Sequence, residues 1–425
     1  MKKEEIIGMI LNGDLDNTLA DIYGDVNKIQ YQKDRYIKAV NVFVEKFGDC
    51  DLSIFSAPGR SEIGGNHTDH QHGEVLAASV NLDSIAVAAK TYDRQIIISS
   101  SGYEELVIPL DKIRYEKTEE GTTLALVKGV LSKMMEMGYK VGGFKAYVTS
   151  DVLIGAGLSS SAAYETLIGT IISGLYNDMS VSAIDIAIIG QYAENVFFGK
   201  PCGLMDQMAC SVGNLVHVDF ANPKEPVVEK VEFDMSKYGY SLCITDTKGS
   251  HADLTDEYAA IPGEMKAVAQ LMGREVLLEI TEEEVLNCID DIREKLGDRA
   301  LLRTLHFINE NERVRQEVAA LRNCDIDGFL KIVKQSGDSS YKYLQNVYTN
   351  SDVRHQNVSV ALALSDTYLK EKGACRVHGG GFAGTIQAFV RDEDVDEYKA
   401  RMDKVFGNGA CNALKIRKYG GIKIV

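Results

Sequence analysis

Leu153-Ile-Gly-Ala-Gly-Leu-Ser-Ser-Ser-Ala-Ala163 is the stretch that decides the fold. It follows a segment with the pattern of a strand, residues 143–152, and it opens a long apolar helix predicted over residues 159–176. Glycines let a backbone approach an anion closely, and a helix N-terminus offers free N–H groups with partial positive charge. The context predicts a phosphate-binding loop, and the alternative interpretation is a turn of small residues where two backbones pack closely.

The elements around this loop indicate an α+β fold. Strand patterns precede it at residues 53–60, which break at Pro58-Gly59, and at residues 74–90 and 95–101. Helices are predicted over residues 34–48, 121–138 and 182–198, residues 263–372 read as mainly helical, and residues 375–390 read as strand, glycine turn and strand. Because these elements do not alternate regularly, α+β is favoured over a doubly wound sheet. A boundary near residues 225–240 divides the chain into domains 1–235 and 236–425.

Charge and composition exclude several function classes. The 425 residues include 46 Lys and Arg against 62 Asp and Glu, a net charge of −16, which argues against general binding of nucleic acids or anionic membranes. The N-terminus lacks the apolar segment of a signal peptide, and no apolar run is long enough to span a bilayer. The eight cysteines form no C-x-x-C pair, so we expect reduced thiols and a cytoplasmic protein.

Four motifs carry a resemblance to one family. G155-A-G-L-S-S-S-A162 resembles the phosphate loop of the GHMP kinases, and no P-loop lysine follows it. S56-A-P-G-R-S-E-I-G-G-N-H-T-D-H70 resembles the galactokinase signature A-P-G-R-x-N-x-I-G-E-H-T-D-Y. F198-G-K-P-C-G-L-M-D-Q207 and H378-G-G-G-F-A-G384 resemble two further motifs of that branch. The motifs stand in family order over residues 56–384.

The resemblance implies an N-terminal domain like ribosomal protein S5 domain 2 and a ferredoxin-like C-terminal domain, with the active site between them. It also implies an ATP-dependent sugar-1-kinase, in the first place a galactokinase, that uses Mg²⁺. The expected partners are a small sugar and ATP, with no nucleic acid, membrane or obligate protein partner.

By the same resemblance, Asp206 is the catalytic aspartate that faces the anomeric hydroxyl, and Arg60 is the arginine beside it. Ser161 and Glu194 match the Mg²⁺-binding pair, a hydroxyl and a carboxylate of the hard-oxygen type that Mg²⁺ prefers. The remaining loop residues are expected to contact the nucleotide phosphates: Gly155, Gly157, Leu158, Ser159 and Ser160, together with Ser161. The alternatives without a catalytic role are that Arg60 is a cation that caps a turn and that Glu194 is a solvated residue of a helix.

The sugar-binding residues implied by the resemblance are Asn66, His67, Asp69, His70 and Tyr258. A metal site formed by the neighbouring histidines and Asp69 is an alternative interpretation of the segment N66-H-T-D-H-Q-H72.

Departures from the family pattern concentrate in this segment. Glu62 stands where the family has asparagine, Asn66 where it has the glutamate that contacts the sugar's C6 hydroxyl, and His70 where it has tyrosine. The phosphate loop has smaller departures, at Leu153 and Ala156. Because Asn66 would remove a carboxylate from the C6 side, and because D69-H-Q71 resembles plant galacturonate-1-kinases, a galacturonate-1-kinase is the alternative function.

A hypothesis of another class is a sugar and ATP sensor without catalysis, since galactokinase-like proteins regulate transcription in some fungi. Those sensors lack a Ser-Ala pair in the phosphate loop, whereas S159-S-S-A-A163 is complete here and Asp206 is present. The enzyme is therefore favoured.

Overall fold

The computed structural model describes residues 1–153, 155, 157–249 and 254–425, so Ala156 of the phosphate loop lies outside the described residues. The α+β prediction is confirmed, with strands and helices mixed along the chain. The α-helices are α1 Lys3–Asn12, α2 Asp16–Tyr23, α3 Ile29–Phe47, α4 Thr123–Glu136, α5 Ser160–Tyr176, α6 Ala183–Tyr192, α7 Met205–Val212, α8 Thr255–Leu271, α9 Glu282–Asn287, α10 Ile289–Leu296, α11 Asp298–Arg322, α12 Ile326–Ser339, α13 Asn357–Leu369 and α14 Val395–Phe406. The strands are β1 Ser53–Gly64, β2 Glu74–Lys90, β3 Gln95–Ser100, β4 Leu106–Pro109, β5 Phe144–Ser150, β6 Leu215–Asp219, β7 Val227–Val231, β8 Tyr240–Asp246, β9 Ala374–Val377, β10 Thr385–Arg391, β11 Cys411–Leu414 and β12 Ile422–Lys423.

The strands form two sheets. The larger sheet has the order β12-β1-β2-β5-β3-β4, and the pair β6-β7 joins it along the first residues of β2. Its pairings are antiparallel except for β3 with β5. The smaller sheet, β11-β8-β10-β9, is antiparallel throughout. The predicted boundary at residues 225–240 falls between β7 and β8, and the division into domains 1–235 and 236–425 stays a prediction.

Helices cover both faces of the larger sheet, which explains why β1 and β2 are buried almost throughout. Ile54 of β1 and Ile85 of β2 belong to the core shared with α1 to α3. Phe55 and Ala86, one position further along the same strands, belong to the core shared with α4 to α6. The alternation of side chains along a strand thus places successive apolar residues in two different cores.

The prediction that the first strand breaks at Pro58-Gly59 is wrong. β1 continues to Gly64, and its pairing with β2 shifts register between Pro58 and Arg60. A bulge tolerates a proline, which has no N–H to contribute to the ladder. A Cβ on Gly59 would lie 2.9 Å from the carbonyl oxygen of Leu158, so this glycine lets β1 pass directly against the phosphate loop.

The helix predicted over residues 182–198 is present and changes its winding. Ser182 caps α6 through its hydroxyl, which accepts the Asp185 N–H at 3.0 Å, and the last turn, Ala193–Phe198, is π-helical. Gly199 ends it in the left-handed conformation, with φ of 80°. Among the helices of the described part of the chain, none has both the length and the apolar character needed to cross a membrane.

One buried carboxyl group lies between the helical layer and β1 without a partner. Glu317 of α11 is fully buried, and neither of its carboxylate oxygens has a hydrogen-bond partner. A Cβ on Gly64 would lie 1.9 Å from Glu317 Oε2, so the carboxyl group packs against the end of β1. Burial, together with the nearby Glu310 carboxylate, raises the pKa of Glu317 well above its ordinary value.

Replacing Glu317 by glutamine should stabilise the protein at neutral pH. Because the folded-state pKa lies above the unfolded-state value of about 4.3, wild-type stability falls as the pH rises from that value through the folded-state pKa. Glu317→Gln cannot ionise, so it should raise Tm by a few degrees near pH 7.5 and leave Tm nearly unchanged near pH 4. Thermal unfolding at the two pH values measures the difference.

The matched control is Glu312→Gln on the same helix, where the carboxylate is 58% exposed and pairs only loosely with Arg315. This control should leave Tm unchanged at both pH values. A Glu317→Gln variant no more stable than wild type near pH 7.5 would mean that the Glu317 carboxyl is solvated or paired in the folded protein.

Candidate active site

A bidentate ion pair joins two of the predicted catalytic residues. Arg60 Nε lies 2.6 Å from Asp206 Oδ1, and a terminal nitrogen of the same guanidinium lies 2.6 Å from Asp206 Oδ2. Arg60 comes from the bulged part of β1, and Asp206 lies in the first turn of α7. The pair therefore connects the strand that passes the phosphate loop with the helix of the third motif.

This pair controls the protonation of Asp206. Burial alone would raise the pKa of the carboxyl, but the Arg60 guanidinium and hydrogen bonds from Arg60 and Ser159 outweigh it, so the pKa lies below its ordinary value. Asp206 is consequently an anion throughout the neutral range. Its side chain keeps 29% exposure against 9% for Arg60, so the carboxylate faces the open side of the site.

The phosphate loop contacts both members of the pair. The second terminal nitrogen of Arg60 donates to the carbonyl oxygen of Gly157, and the Ser159 hydroxyl donates to Asp206 Oδ2. Gly155, Gly157 and Ser159 have φ of 77°, 69° and 50°, in the left-handed region that favours glycine. The Ser159 side chain makes no capping hydrogen bond to the first turn of α5, so it leaves the N–H groups of that turn to other acceptors.

Leu158 differs from its neighbours in the loop. Its side chain is fully buried in the core, and its carbonyl oxygen accepts the Arg60 backbone N–H at 3.1 Å. This residue therefore anchors the loop, and only its backbone is available to a nucleotide.

The two predicted metal ligands lie side by side. The Ser161 hydroxyl is 3.3 Å from Glu194 Oε1, and the Gln207 amide donates to Glu194 Oε2 at 2.9 Å. The same amide donates at 3.1 Å to Glu165, a residue of α5 that lies one helical turn beyond Ser161. A buried carboxylate held by an amide beside a serine hydroxyl is the hard-oxygen donor set that suits Mg²⁺ shared with phosphates.

The sugar loop converges on the glycine turn of the fourth motif. The Asn66 amide donates to the carbonyl oxygen of Gly379 at 2.8 Å, and His67 Nε2 lies 3.1 Å from that of Gly380. The Tyr258 hydroxyl donates to the carbonyl oxygen of Gly381 at 2.8 Å. Burial lowers the pKa of His67 to about 4, so its ring is neutral and offers hydrogen bonds rather than charge.

Asp69 approaches the catalytic segment from the other side. Gly203 lies three residues before Asp206. A Cβ on Gly203 would lie 2.1 Å from Asp69 Oδ2, so only glycine leaves room here for the Asp69 carboxylate. His70 lies on the surface beside Asp69, with 3.7 Å between its Nε2 and the carboxylate. Within the described residues, no group of three or more His, Cys, Asp or Glu side chains is arranged to hold a metal, so nothing favours the histidine metal site.

The side-chain amide of Asn66 is hydrogen-bonded to other groups of the protein. Besides Gly379, its Nδ2 donates to Glu62 Oε1 at 2.9 Å, and its Oδ1 accepts from Asn346 at 2.8 Å and Ser340 at 3.3 Å. The residue has no exposed surface. A direct contact between Asn66 and a sugar would require it to exchange one of these partners.

Glu62 and Asn66, two of the departures from the signature, contact each other. Where the family motif has asparagine and then glutamate, this chain has glutamate and then asparagine, so the exchange keeps one carboxylate within this contact. Arg376, fully buried, donates to Glu62 Oε1 at 2.8 Å. Burial still raises the pKa of Glu62 to about 6, against the lowering effect of Arg376 and Arg60.

Sequence reasoning missed several members of the site. Gln207 stands in the quoted G-L-M-D-Q motif, and Glu165 follows Ser161 by one helical turn. Both positions could therefore have been predicted from the sequence to lie near the site. Nothing in the sequence pointed to Arg376 or to the role of Glu62, because their contact joins positions more than 300 residues apart.

Comparison with known proteins identifies the family. The model of the GHMP kinases N terminal domain matches residues 125–214, and that of the galactokinase galactose-binding signature matches residues 41–90. A galactokinase of Pyrococcus furiosus is 31% identical over 353 residues, which cover 82% of this chain and 91% of that protein. The chain belongs to the galactokinase family. A galactokinase of Enterococcus faecalis is 28% identical over 364 residues, 84% of this chain and 91% of that protein.

Solved structures show the same fold. The crystal structure of Lactococcus lactis galactokinase complexed with galactose matches with a TM-score of 0.75 at 22% identity, over 90% of this chain and 98% of that one. A mevalonate kinase matches with a TM-score of 0.61 at 15% identity, over 86% and 99%. The family and the GHMP kinase fold expected from the four motifs are confirmed.

The contact between Glu62 and Asn66 predicts a compensating pair of substitutions. Glu62→Asn leaves the buried Arg376 guanidinium without its carboxylate, at a cost of about 3–5 kcal/mol, and Asn66→Glu sets two carboxylates against each other. The double variant Glu62→Asn/Asn66→Glu restores one carboxylate beside Arg376. Thermal unfolding should therefore show two destabilised single variants and a double variant close to wild type.

The control is Glu279→Gln, an exposed carboxylate outside this cluster, which should leave Tm unchanged. Additive losses in the double variant would contradict the reciprocal exchange.

Proposed function

We propose that this protein transfers the γ-phosphoryl group of ATP to the anomeric hydroxyl of galactose. The observation that carries the proposal is the contact of Asp206 with both Arg60 and Ser159, which joins the sugar-side carboxylate to the phosphate loop. Membership of the galactokinase family supports a phosphotransferase that acts on a hydroxyl group, with ATP as co-substrate.

Asp206 would act mainly by orientation. Its pKa is lowered, with the Arg60 guanidinium opposing the effect of burial, so the carboxylate is a weak base and a strong hydrogen-bond acceptor. Phosphoryl transfer through a loose transition state needs the nucleophile held in line more than it needs early removal of its proton. Asp206 would hold the anomeric hydroxyl and receive its proton late, while Arg60 offsets charge on the phosphoryl group.

The phosphates would lie at the N-terminus of α5, where the Ser159 side chain makes no capping hydrogen bond. Ser161 and Glu194 would hold Mg²⁺, which supplies charge neutralisation on the phosphates when it is bound. Gln207 would keep the Glu194 carboxylate oriented toward Ser161 through its 2.9 Å hydrogen bond.

Galactose is favoured as the sugar over galacturonate. The case for galacturonate depends on the loss of a carboxylate at position 66, but the Glu62 carboxylate lies 2.9 Å from the Asn66 amide. A carboxylate therefore remains at this part of the loop, where it is paired with Arg376. His67, Asp69, His70 and Tyr258 remain the proposed sugar contacts, with Asn66 acting through Glu62 and the glycine turn.

The intact catalytic set favours an enzyme over a sensor. A protein that only bound sugar and ATP would not need Asp206 held as an anion by a bidentate arginine. In such a protein, burying the Asp206 carboxylate would cost free energy without serving catalysis. The complete Ser-Ala pair of the phosphate loop points the same way.

Asp206→Asn should lower kcat for galactose by about 10²- to 10⁴-fold while leaving ATP affinity within a few fold of wild type. The asparagine keeps the size of the side chain and removes the proton acceptor. Steady-state ADP release with galactose and galacturonate gives the rate and the sugar preference, and calorimetric titration of ATP gives the affinity. Asp338→Asn, an exposed aspartate paired with Lys342, is the matched control and should keep full activity.

A rate near that of wild type in Asp206→Asn would remove this residue from the mechanism. A higher kcat/KM for galacturonate than for galactose in wild type would overturn the proposed substrate while leaving the kinase reaction in place.

Ser161→Ala and Glu194→Gln should each raise the Mg²⁺ concentration needed for half-maximal rate. Because both residues would act on one ion, the double variant should be less impaired than the sum of the single effects predicts. Rates measured over a Mg²⁺ series at saturating ATP provide the comparison. If either single variant keeps the wild-type Mg²⁺ dependence, that residue is not a ligand.

A further inference from the structure

Lys200 is a cation at the active site to which neither the sequence motifs nor the proposed mechanism gives a role. The left-handed Gly199 turns the chain back after the π-helical turn, so the Lys200 N–H donates to the carbonyl oxygen of Glu194 at 3.1 Å. Its Nζ lies 3.3 Å from Glu194 Oε1. Both the backbone and the side chain of Lys200 are thus held by the proposed metal ligand.

The two partners of this ion pair differ sharply in exposure. The Glu194 side chain is 4% exposed, whereas that of Lys200 is 64% exposed. Glu194 is fixed by Gln207, but the Lys200 ammonium sits on a flexible stem in contact with water. Losing the ammonium alone would leave the buried Glu194 carboxylate uncompensated, so Lys200 can leave readily only when another cation takes its place.

Two groups contact Glu194 Oε1 at the same time. Lys200 Nζ and the Ser161 hydroxyl lie at the same distance, 3.3 Å, from this oxygen. The ammonium therefore occupies a carboxylate oxygen that a cation bound by Ser161 and Glu194 would also need. Because like charges repel, the ammonium and Mg²⁺ would compete for this carboxylate.

Arg60 cannot take over the role of a mobile cation. Its guanidinium is bound by both oxygens of Asp206 and by the carbonyl oxygen of Gly157. The field of Lys200 nevertheless reaches across the site, since it contributes, after Arg60 and Ser159, to lowering the pKa of Asp206. Since Ser159 and Ser161 of the phosphate loop contact Asp206 and Glu194, the exposed Lys200 ammonium acts on two carboxylates that adjoin this loop.

We propose that Lys200 neutralises Glu194 in the nucleotide-free protein and moves onto the nucleotide phosphates when Mg²⁺ occupies the carboxylate. This inference rests on the proposed function, because it requires ATP at the N-terminus of α5 and Mg²⁺ at Ser161 and Glu194. Lys200 is then a phosphate ligand whose availability depends on the metal.

The test is ATP binding without sugar, measured by calorimetric titration in Mg²⁺ and in EDTA. With Mg²⁺, Lys200→Met should raise the Kd for ATP about tenfold, the loss expected for one charge-assisted contact. In EDTA, where Glu194 holds the ammonium, the same substitution should raise Kd less than about threefold. Lys200→Arg keeps the charge and should stay near wild type, and Lys237→Met, an exposed lysine elsewhere, should have no effect.

A second variant tests the exchange itself. Glu194→Gln should release Lys200 and tighten ATP binding in EDTA relative to wild type. In the double variant Glu194→Gln/Lys200→Met, most of that gain should disappear, whereas simple removal of a negative charge would leave the gain intact.

The outcomes separate the alternatives. An equal loss of affinity in Mg²⁺ and EDTA would make Lys200 a permanent phosphate ligand and overturn the exchange. Unchanged affinity in Lys200→Met would overturn the proposal and leave Lys200 as a structural counterion of Glu194. Wild type that binds no ATP in either buffer would instead refute the proposed function.

Discussion

The ion pair of Arg60 with Asp206 is the interaction on which the arrangement of the site depends. It ties β1 to α7, and through Gly157 and Ser159 it also fixes the phosphate loop. Breaking a buried ion pair by removing one partner costs about 3–5 kcal/mol, because the other charge is left uncompensated. The three segments that must meet for phosphoryl transfer are therefore held by the same charges that would take part in it.

A second buried polar cluster positions the sugar loop against the C-terminal half of the chain. Asn66, Glu62 and Arg376 lie at its centre, and His306 of α11 donates to the Asn66 carbonyl oxygen at 3.0 Å, while burial lowers the pKa of His306. Asn66, Glu62 and His306 are all hydrogen-bonded here, so hydrogen bonds rather than apolar contacts specify the loop. The sugar loop is in this way held against α11 and the glycine turn of the fourth motif.

Local signals predicted much of this structure. The start of α5, the cap at Ser182 and the end of α3 at Gly48 follow from residues within one turn, and all three are observed. The course of β1 past Pro58 did not follow, because the bulge depends on the close approach of Leu158. The reciprocal exchange of Glu62 and Asn66 was equally hidden, since each residue alone looks like a loss of the family pattern and only their contact reveals the retained carboxylate.

The short strand β12 completes the edge of the larger sheet, where Ser56 pairs with Ile422 and Phe55 with Lys423. Arg417, just before β12, donates to Ser56 and Asp83 in the interior of the same layer. Contacts between such distant positions are slow to form, because the intervening chain must be ordered first. During synthesis on the ribosome, the backbone N–H and C=O groups of β1 near Phe55 and Ser56 therefore stay unpaired until residues 422–423 are available. Nascent chains of this protein are for that interval the form most exposed to aggregation and most dependent on chaperones.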